Sequence, residues 1–192
     1  MSRRRSVPLA VAADRRARFE AVFVQVYEPL QAYAHRRTDA ATADDVVAET
    51  LLVLWRRLEE APVDQIVPWA YGVARRCLAN QRRGGQRRLA LVDRLAGERS
   101  LPLVDGASND ERTGDDALLA ALAELSADDR EVIQLWAWEQ LQPREIGAAL
   151  GITANAASIR VYRAKQRLAA AMERKTAHRD GHTDVGHTQE AP

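Results

Sequence analysis

The chain has one cysteine, Cys77, among 192 residues. A lone thiol cannot close an internal disulfide, which points to a reducing compartment. Its place inside an apolar-periodic segment makes it a small core residue, not a nucleophile. Aromatic residues are scarce, at 5% of the sequence. The abundant Ala, Leu, Val and Arg favour helix throughout. No apolar run approaches the roughly 18 residues of a membrane span, so membrane insertion is not expected. The opening MSRRRSVPLAVAADRR imitates a secretion signal, but its apolar run is short, contains Pro8 and feeds into Asp14, Arg15 and Arg16. Residues 1–13 therefore read as a disordered basic tail, and the expected location is cytoplasmic. The sequence lacks H-E-x-x-H, G-x-S-x-G and a phosphate-binding G-x-x-x-x-G-K. With no such constellation, the chain is not expected to be an enzyme or to carry a cofactor. His178, His182 and His187 have no Cys or acid cluster beside them. Residues 176–192 read as a disordered tail without a metal site.

The formal net charge is only +1, but the charges are segregated. Asp39, Asp44, Asp45, Glu49, Glu59, Glu60 and Asp64 face only Arg56 and Arg57 over residues 39–64. Arg75, Arg76, Arg82, Arg83, Arg87 and Arg88 then follow with no acid among them. A second basic zone, residues 154–179, holds Glu173 as its one acid. Two basic zones beside an acidic one suggest nucleic acid together with a protein partner.

Apolar spacing predicts a first helical region over residues 14–37, from Phe19, Val22, Phe23, Val26, Tyr27 and Leu30 to Tyr33 and Ala34. Pro29 is expected to kink or break it. Thr42 with Asp45 reads as a capping box for a second helix running to about Ala61. Its inward stripe is Val47, Leu51, Leu54 and Leu58, widened by Val46, Thr50 and Trp55. After PVDQIVP, with Pro68 suited to a first helical position, WAYGVARRCLANQRR forms a third helix that Gly84 and Gly85 are expected to stop. Ala70, Val73, Ala74 and Cys77 suit a core. Two readings of the rest stand side by side. Aromatic residues followed by arginines suit single-stranded nucleic acid, where bases stack and phosphates pair with guanidinium. Equally, Trp69 packs inside and the arginines are a solvated surface.

LALVDRL adds a short helix, and residues 97–114 are rich in Gly, Pro, Ser, Asn and Asp, as a linker is. Beyond it come DALLAALAEL and a helix capped by Ser126 with Asp129, whose Val132, Leu135 and Trp136 are expected to face inward. Residues 141–168 then read as helix, tight turn and basic helix. Pro143 and Glu145 suit a first turn, and Ile146 and Leu150 share a face. Gly147 suits a close crossing, Gly151 a left-handed end, Ile152 the corner, and Thr153 an N-cap. Ala157, Val161, Ala164 and Leu168 form the inner face of the last helix, while Ser158, Arg160, Arg163, Lys165 and Arg167 lie off it. In outline this is a DNA-reading helix-turn-helix. An ordinary helical hairpin with a solvated basic face has the same pattern.

Two segments together resemble one family. DDVVAETLLVLWRRL followed by PWAYGVARRCLANQRR resembles the second conserved region of bacterial sigma factors. LAELSADDREVIQLWAWEQLQPREIGAALGITANAASIRVYRAKQRL resembles their fourth. The short linker without a third domain is similar to the extracytoplasmic-function group. The resemblance implies a core RNA polymerase partner, whose β′ clamp coiled coil would take Asp44, Asp45, Glu49, Leu51, Trp55 and Arg56. It implies promoter DNA as a second partner. Residues 63–68 with Trp69, Tyr71, Arg75, Arg76, Asn80 and Arg83 would recognise and melt the minus-ten element. Thr153, Asn155, Ser158, Ile159, Arg160 and Arg163 would read the minus-thirty-five element. The family often has an anti-sigma factor that sequesters both domains, and such a partner is a further expectation.

The expected architecture is all-α, two small helical domains joined by a flexible linker, the C-terminal one containing the helix-turn-helix. The domains are placed at 14–96 and 115–175. The expected function is promoter-specific initiation of transcription. Alternatives are a stand-alone helix-turn-helix regulator with an N-terminal sensing or dimerising domain, and an RNA-binding helical protein using residues 69–88. The acidic clamp-type helix beside an aromatic–arginine helix discriminates, since a regulator needs neither.

Overall fold

The computed structural model describes residues 9–96 and 115–180, and within them every regular element is a helix. Residues 97–114, expected as a linker, and the two ends, residues 1–8 and 181–192, lie outside the described residues, with the expectations placed on them. The N-terminal unit contains α1 (Leu9–His35), α2 (Ala40–Arg56) and α3 (Ile66–Ala96), with 3-10 turns at Leu58–Glu60 and Val63–Gln65 between α2 and α3. Each of its three helices packs on the other two. Their shared core takes Val26, Leu30 and Tyr33 from α1, Val46, Val47, Thr50 and Leu54 from α2, and Ala70, Val73, Ala74 and Cys77 from α3.

Several boundaries differ from the sequence reading, each for a local reason. Helix α1 begins at Leu9, so residues 9–13 are not part of a structureless tail. It also runs through Pro29 to His35 without a break. Losing one helical hydrogen bond costs about 3 kcal/mol, and the buried Val26, Leu30, Tyr33 and Ala34 around it offset that by packing. Helix α2 starts five residues before Asp45. Its N-cap is Asp39, whose carboxylate accepts the Thr42 N–H at 3.0 Å, so Thr42 is a capped residue and not the cap. It ends at Arg56, and the 3-10 turn Leu58–Glu60 completes what was read as its last turn. Helix α3 starts at Ile66, two residues before Pro68, which still falls in the first turn where no donor is needed. It passes through Gly84 and Gly85 and absorbs the LALVDRL segment. Each glycine costs about 1 kcal/mol in a helix, too little to stop one.

The C-terminal unit contains α4 (Asp115–Glu124), α5 (Ala127–Ala137), α6 (Pro143–Leu150) and α7 (Ala154–Asp180). Helix α7 extends past Lys175, the expected end of the domain, to Asp180. Both α4 and α5 pack on it. Ala121, Leu122, Leu125, Val132, Ile133, Leu135, Ile146, Ala157, Val161 and Ala164 are buried. Ser126 caps α5 as read, accepting the Asp129 N–H at 3.1 Å. Trp136 does not face inward: it is 40% exposed, and Ile133 takes the inner position instead. The hairpin of α6 and α7 forms as its residues dictate. The Gln142 N–H donates to the Glu145 carboxylate at 2.7 Å, and the Glu145 N–H donates to the Gln142 carbonyl at 2.9 Å, so a glutamine serves where Ser or Thr is usual. Gly151 adopts φ +70°, and Thr153 Oγ1 accepts the Ala156 N–H at 3.2 Å. A Cβ on Gly147 would stand 2.8 Å from the Ile152 carbonyl oxygen and 3.3 Å from the Ala154 nitrogen, so the turn closes directly on this residue.

Gly147→Ala should therefore destabilise the C-terminal unit by about 1–3 kcal/mol, the range for overpacking against backbone that cannot retreat. Gly84→Ala, whose Cβ meets no atom within 4 Å, should raise helix stability by up to about 1 kcal/mol. Thermal unfolding followed by circular dichroism separates the two, and equal effects would contradict the packing argument.

Candidate nucleic-acid interface

Three surfaces carry the residues singled out from the sequence. The first is the outer face of α2. Asp45, Glu49, Leu52 and Arg56 recur at spacings of four, three and four residues, opposite the buried Val46, Thr50 and Leu54. Asp45 and Arg56 are exposed, Glu49 is half-buried, and Leu52 is 55% exposed. Leu51, the leucine expected at the clamp, is half-buried on the flank of the core. Leu52 is the apolar residue that points away from it, and its helical spacing from Asp45 and Glu49 was the available signal. Asp44 and Trp55 border this face on the side of α1. His35 Nε2 lies 3.7 Å from the Asp44 carboxylate. Trp55 is fixed on two sides: Phe19 meets its ring edge-on at 5.1 Å, and the Arg15 guanidinium lies 4.8 Å from its centroid. Arg15 also donates to the Trp55 carbonyl at 2.7 Å, satisfying a carbonyl of the last helical turn.

The second surface is on α3. Trp69, Arg76, Asn80, Arg83 and Arg87 repeat at spacings of seven, four, three and four, which puts them on one face. Trp69 is half-buried and the other four are exposed, with Arg83 Nη2 donating to Asn80 Oδ1 at 2.7 Å. Tyr71 does not join them. Its ring stacks on Tyr33 of α1 at 5.0 Å and is 5% exposed, so it is a core residue and not a platform for a base. Arg75 is half-buried on the same flank as Tyr71. Arg82 follows there, donating to the Arg37 carbonyl at 3.2 Å. Cys77 lies beneath these faces, and burial pushes its thiol pKa up, away from the reactive thiolate.

The third surface is the outer side of α7, where Asn155, Ser158, Ile159, Arg160 and Arg163 are all exposed. Thr153 is exposed too, with its hydroxyl oxygen engaged in the cap. The most exposed large apolar residue here, Tyr162 at 65%, has no place in the sequence-based expectation, although it stands one turn after Ser158. Beside it is an open groove of about 490 Å³ lined by Trp136, Pro143, Ser158, Tyr162, Lys165 and neighbours. Lys165 Nζ sits 3.8 Å from the centre of the Trp136 ring, a cation held over an aromatic face at the groove rim. Among the described residues no group of His, Cys, Asp and Glu could hold a metal ion, and no helix is long and apolar enough to cross a membrane.

A three-helix unit bearing separate acidic–apolar and aromatic–arginine faces, followed by a helix-turn-helix unit, is the build of a bacterial transcription initiation factor. Comparison with known proteins agrees. Residues 22–88 match the model of Sigma-70 region 2, and residues 115–168 match that of Sigma-70 region 4. The ECF RNA polymerase sigma factor SigL of Mycobacterium tuberculosis is 32% identical over 164 residues, covering 82% of this chain and 90% of SigL. Solved structures of two relatives illustrate the shared fold. The sigma factor RpoE of Bartonella quintana, in complex with the anti-sigma factor NepR, aligns with a TM-score of 0.58 and 23% identity, over 81% of this chain and 96% of that one. CnrH, in complex with the cytosolic domain of CnrY, aligns with a TM-score of 0.54 and 21% identity, over 81% and 87%. The chain belongs to the extracytoplasmic-function sigma factors, which direct promoter-specific transcription by RNA polymerase.

The cap that sets the start of α2 makes that helix end sensitive to acid. The hydrogen bond from the Thr42 N–H holds the Asp39 carboxyl below its ordinary value. Because the folded pKa is the lower one, the stabilisation is complete above the unfolded value of about 3.9 and is lost as pH falls through the folded value. Asp39→Ala should lower the melting temperature at pH 7, and the gap to the wild type should close as the melts are repeated at successively lower pH. A gap that persisted in strong acid would mean that the carboxylate is not what stabilises the helix start.

Proposed function

We propose how the three surfaces divide the work of initiation. The outer face of α2, with Asp45, Glu49, Leu52 and Arg56 and the flanking Asp44 and Trp55, docks on the β′ clamp coiled coil of core RNA polymerase. Carboxylates steer the approach to a basic partner, and Leu52 and Trp55 supply the desolvated anchor. The segment 63–68, a 3-10 turn running into the first residues of α3, takes the opened minus-ten strand together with Trp69, Arg76, Asn80 and Arg83. An unstacked base finds a flat ring there, and guanidinium groups meet its phosphates. The outward residues of α7, Asn155, Ser158, Ile159, Arg160, Tyr162 and Arg163, read the minus-thirty-five duplex in the major groove.

The observation that carries this reading is the pairing, on one small unit, of an acidic–apolar face on α2 with a separate aromatic–arginine face on α3. The protein performs no catalysis of its own and works in the cytoplasm, where the polymerase is. The solved relatives RpoE and CnrH are bound to NepR and to the cytosolic domain of CnrY. An anti-sigma partner for this chain fits the same pattern.

Two experiments test the division. Asp45→Arg with Glu49→Arg should weaken binding to core polymerase while circular dichroism stays native. Leu52→Ala should weaken it by about 1–2 kcal/mol, the scale of an apolar anchor, whereas unchanged affinity in both variants would remove the α2 assignment. For the α3 face, permanganate footprinting of Trp69→Ala on duplex promoter and on a pre-melted bubble is decisive. Stacking is worth roughly 1–3 kcal/mol per base, so a defect on duplex that the bubble largely rescues is expected. Equal loss on both templates would assign Trp69 to packing.

A further inference from the structure

Arg57 follows the last residue of α2 and stands beside the α3 face, although it was not among the residues expected there. Its guanidinium lies 5.5 Å from the centre of the Trp69 ring. Nε and Nη2 both donate to one oxygen of Glu60, at 2.8 and 2.6 Å. The two side chains are 45% and 60% exposed, so this is a solvent-facing pair. The Glu60 N–H donates to the Arg57 carbonyl at 2.9 Å, which folds the pair into the turn just before residues 63–68. A cation is thus parked against the ring proposed to take a base, with a carboxylate neutralising it.

We propose that Arg57 is a phosphate-binding residue of the minus-ten surface, held in reserve by Glu60. The inference rests on the reading of the α3 face as the one that takes the opened strand. A base stacked on Trp69 brings its own phosphate close to Arg57, and a phosphate suits the planar guanidinium fork as well as a carboxylate does. Exchange is easy because an exposed ion pair is weakly held. Until a base arrives, Glu60 cancels the charge, so Arg57 adds little to indiscriminate binding. Base stacking and phosphate capture are thereby coupled, and Glu60 sets how readily the strand is taken.

The test uses holoenzyme assembled from the full-length chain and core polymerase. The probe is a fluorescent single-stranded oligodeoxynucleotide spanning the minus-ten element of a promoter mapped by run-off transcription. Anisotropy titrations across a salt series, with core polymerase alone as baseline, give affinity and salt slope. Arg57→Ala should bind more weakly and lower the slope of log affinity against log salt by about 0.7, the value for one phosphate on a single strand. Glu60→Gln should bind about 2- to 5-fold more tightly, the scale of a released surface pair. Arg57→Ala with Glu60→Gln should bind no more tightly than Arg57→Ala alone. Glu60→Gln binding equally or more weakly would overturn the proposal, since it would make Glu60 a support and not a restraint. An Arg57→Ala slope equal to that of the wild type would overturn it too. Should Arg57→Ala fold poorly by circular dichroism, the sign of the Glu60→Gln effect decides alone. Trp69→Ala on the same probe separates the two levels. Loss there without any Arg57 or Glu60 effect rejects only the reserve, whereas no loss rejects the surface itself.

Discussion

Everything in the N-terminal unit depends on the burial of one stripe of α2 between α1 and α3. Val46, Val47 and Leu54 meet a core filled by Val26, Leu30 and Tyr33 on one side and Ala70, Val73 and Ala74 on the other. Fixing that stripe fixes the rotation of the helix, and rotation decides which residues a partner meets. Aromatic scarcity makes the constraint tighter. With few large rings available, close approach of Ala and Val brings the helices together, and the stacked pair Tyr33 and Tyr71 is used inside. Three of the rings left near the surface are held by cations: Trp55 by Arg15, Trp69 by Arg57, Trp136 by Lys165. Contact of this kind keeps a flat apolar surface oriented without hiding it.

The fold was legible because periodicity and caps agree over most of the chain. The α6–α7 hairpin could be read almost residue by residue, since Pro143, Glu145, Gly151 and Thr153 each have one local reason to be where they are. Boundaries were harder where tertiary packing overrides propensity. Pro29 breaks an isolated helix, yet α1 passes straight through it on the packing of its neighbours, while Gly84 and Gly85 cost α3 too little to stop it. Asp39 outcompetes Thr42 as a cap for a different reason: the residues between them, Ala40 and Ala41, are themselves good helix formers, so the helix starts earlier.

The surfaces were legible as segments and less so as individual side chains. Leu51 against Leu52 is a choice between neighbours 100° apart on a helix, and an apolar run such as LLVLW does not mark its own inner side. The rotation becomes visible only once Val46, Thr50 and Leu54 are seen buried. Tyr71 misled for a similar reason, since a tyrosine two residues after a tryptophan looks like a second platform until Tyr33 is found stacked on it. Arg57 and Tyr162 lacked any motif of their own. One is visible only through its contact with Trp69, the other only through its exposure.

The buried thiol has a kinetic consequence. Cys77 is the chain's only cysteine and sits in the N-terminal core, with burial holding it in the unreactive protonated form. An alkylating reagent can reach it only when that core opens, so the labelling rate counts openings of one unit and is silent about the other. The protein thus carries an internal clock for the breathing of its N-terminal unit. Slowing of that clock by a bound partner would report, without any added probe, on which unit the partner has closed.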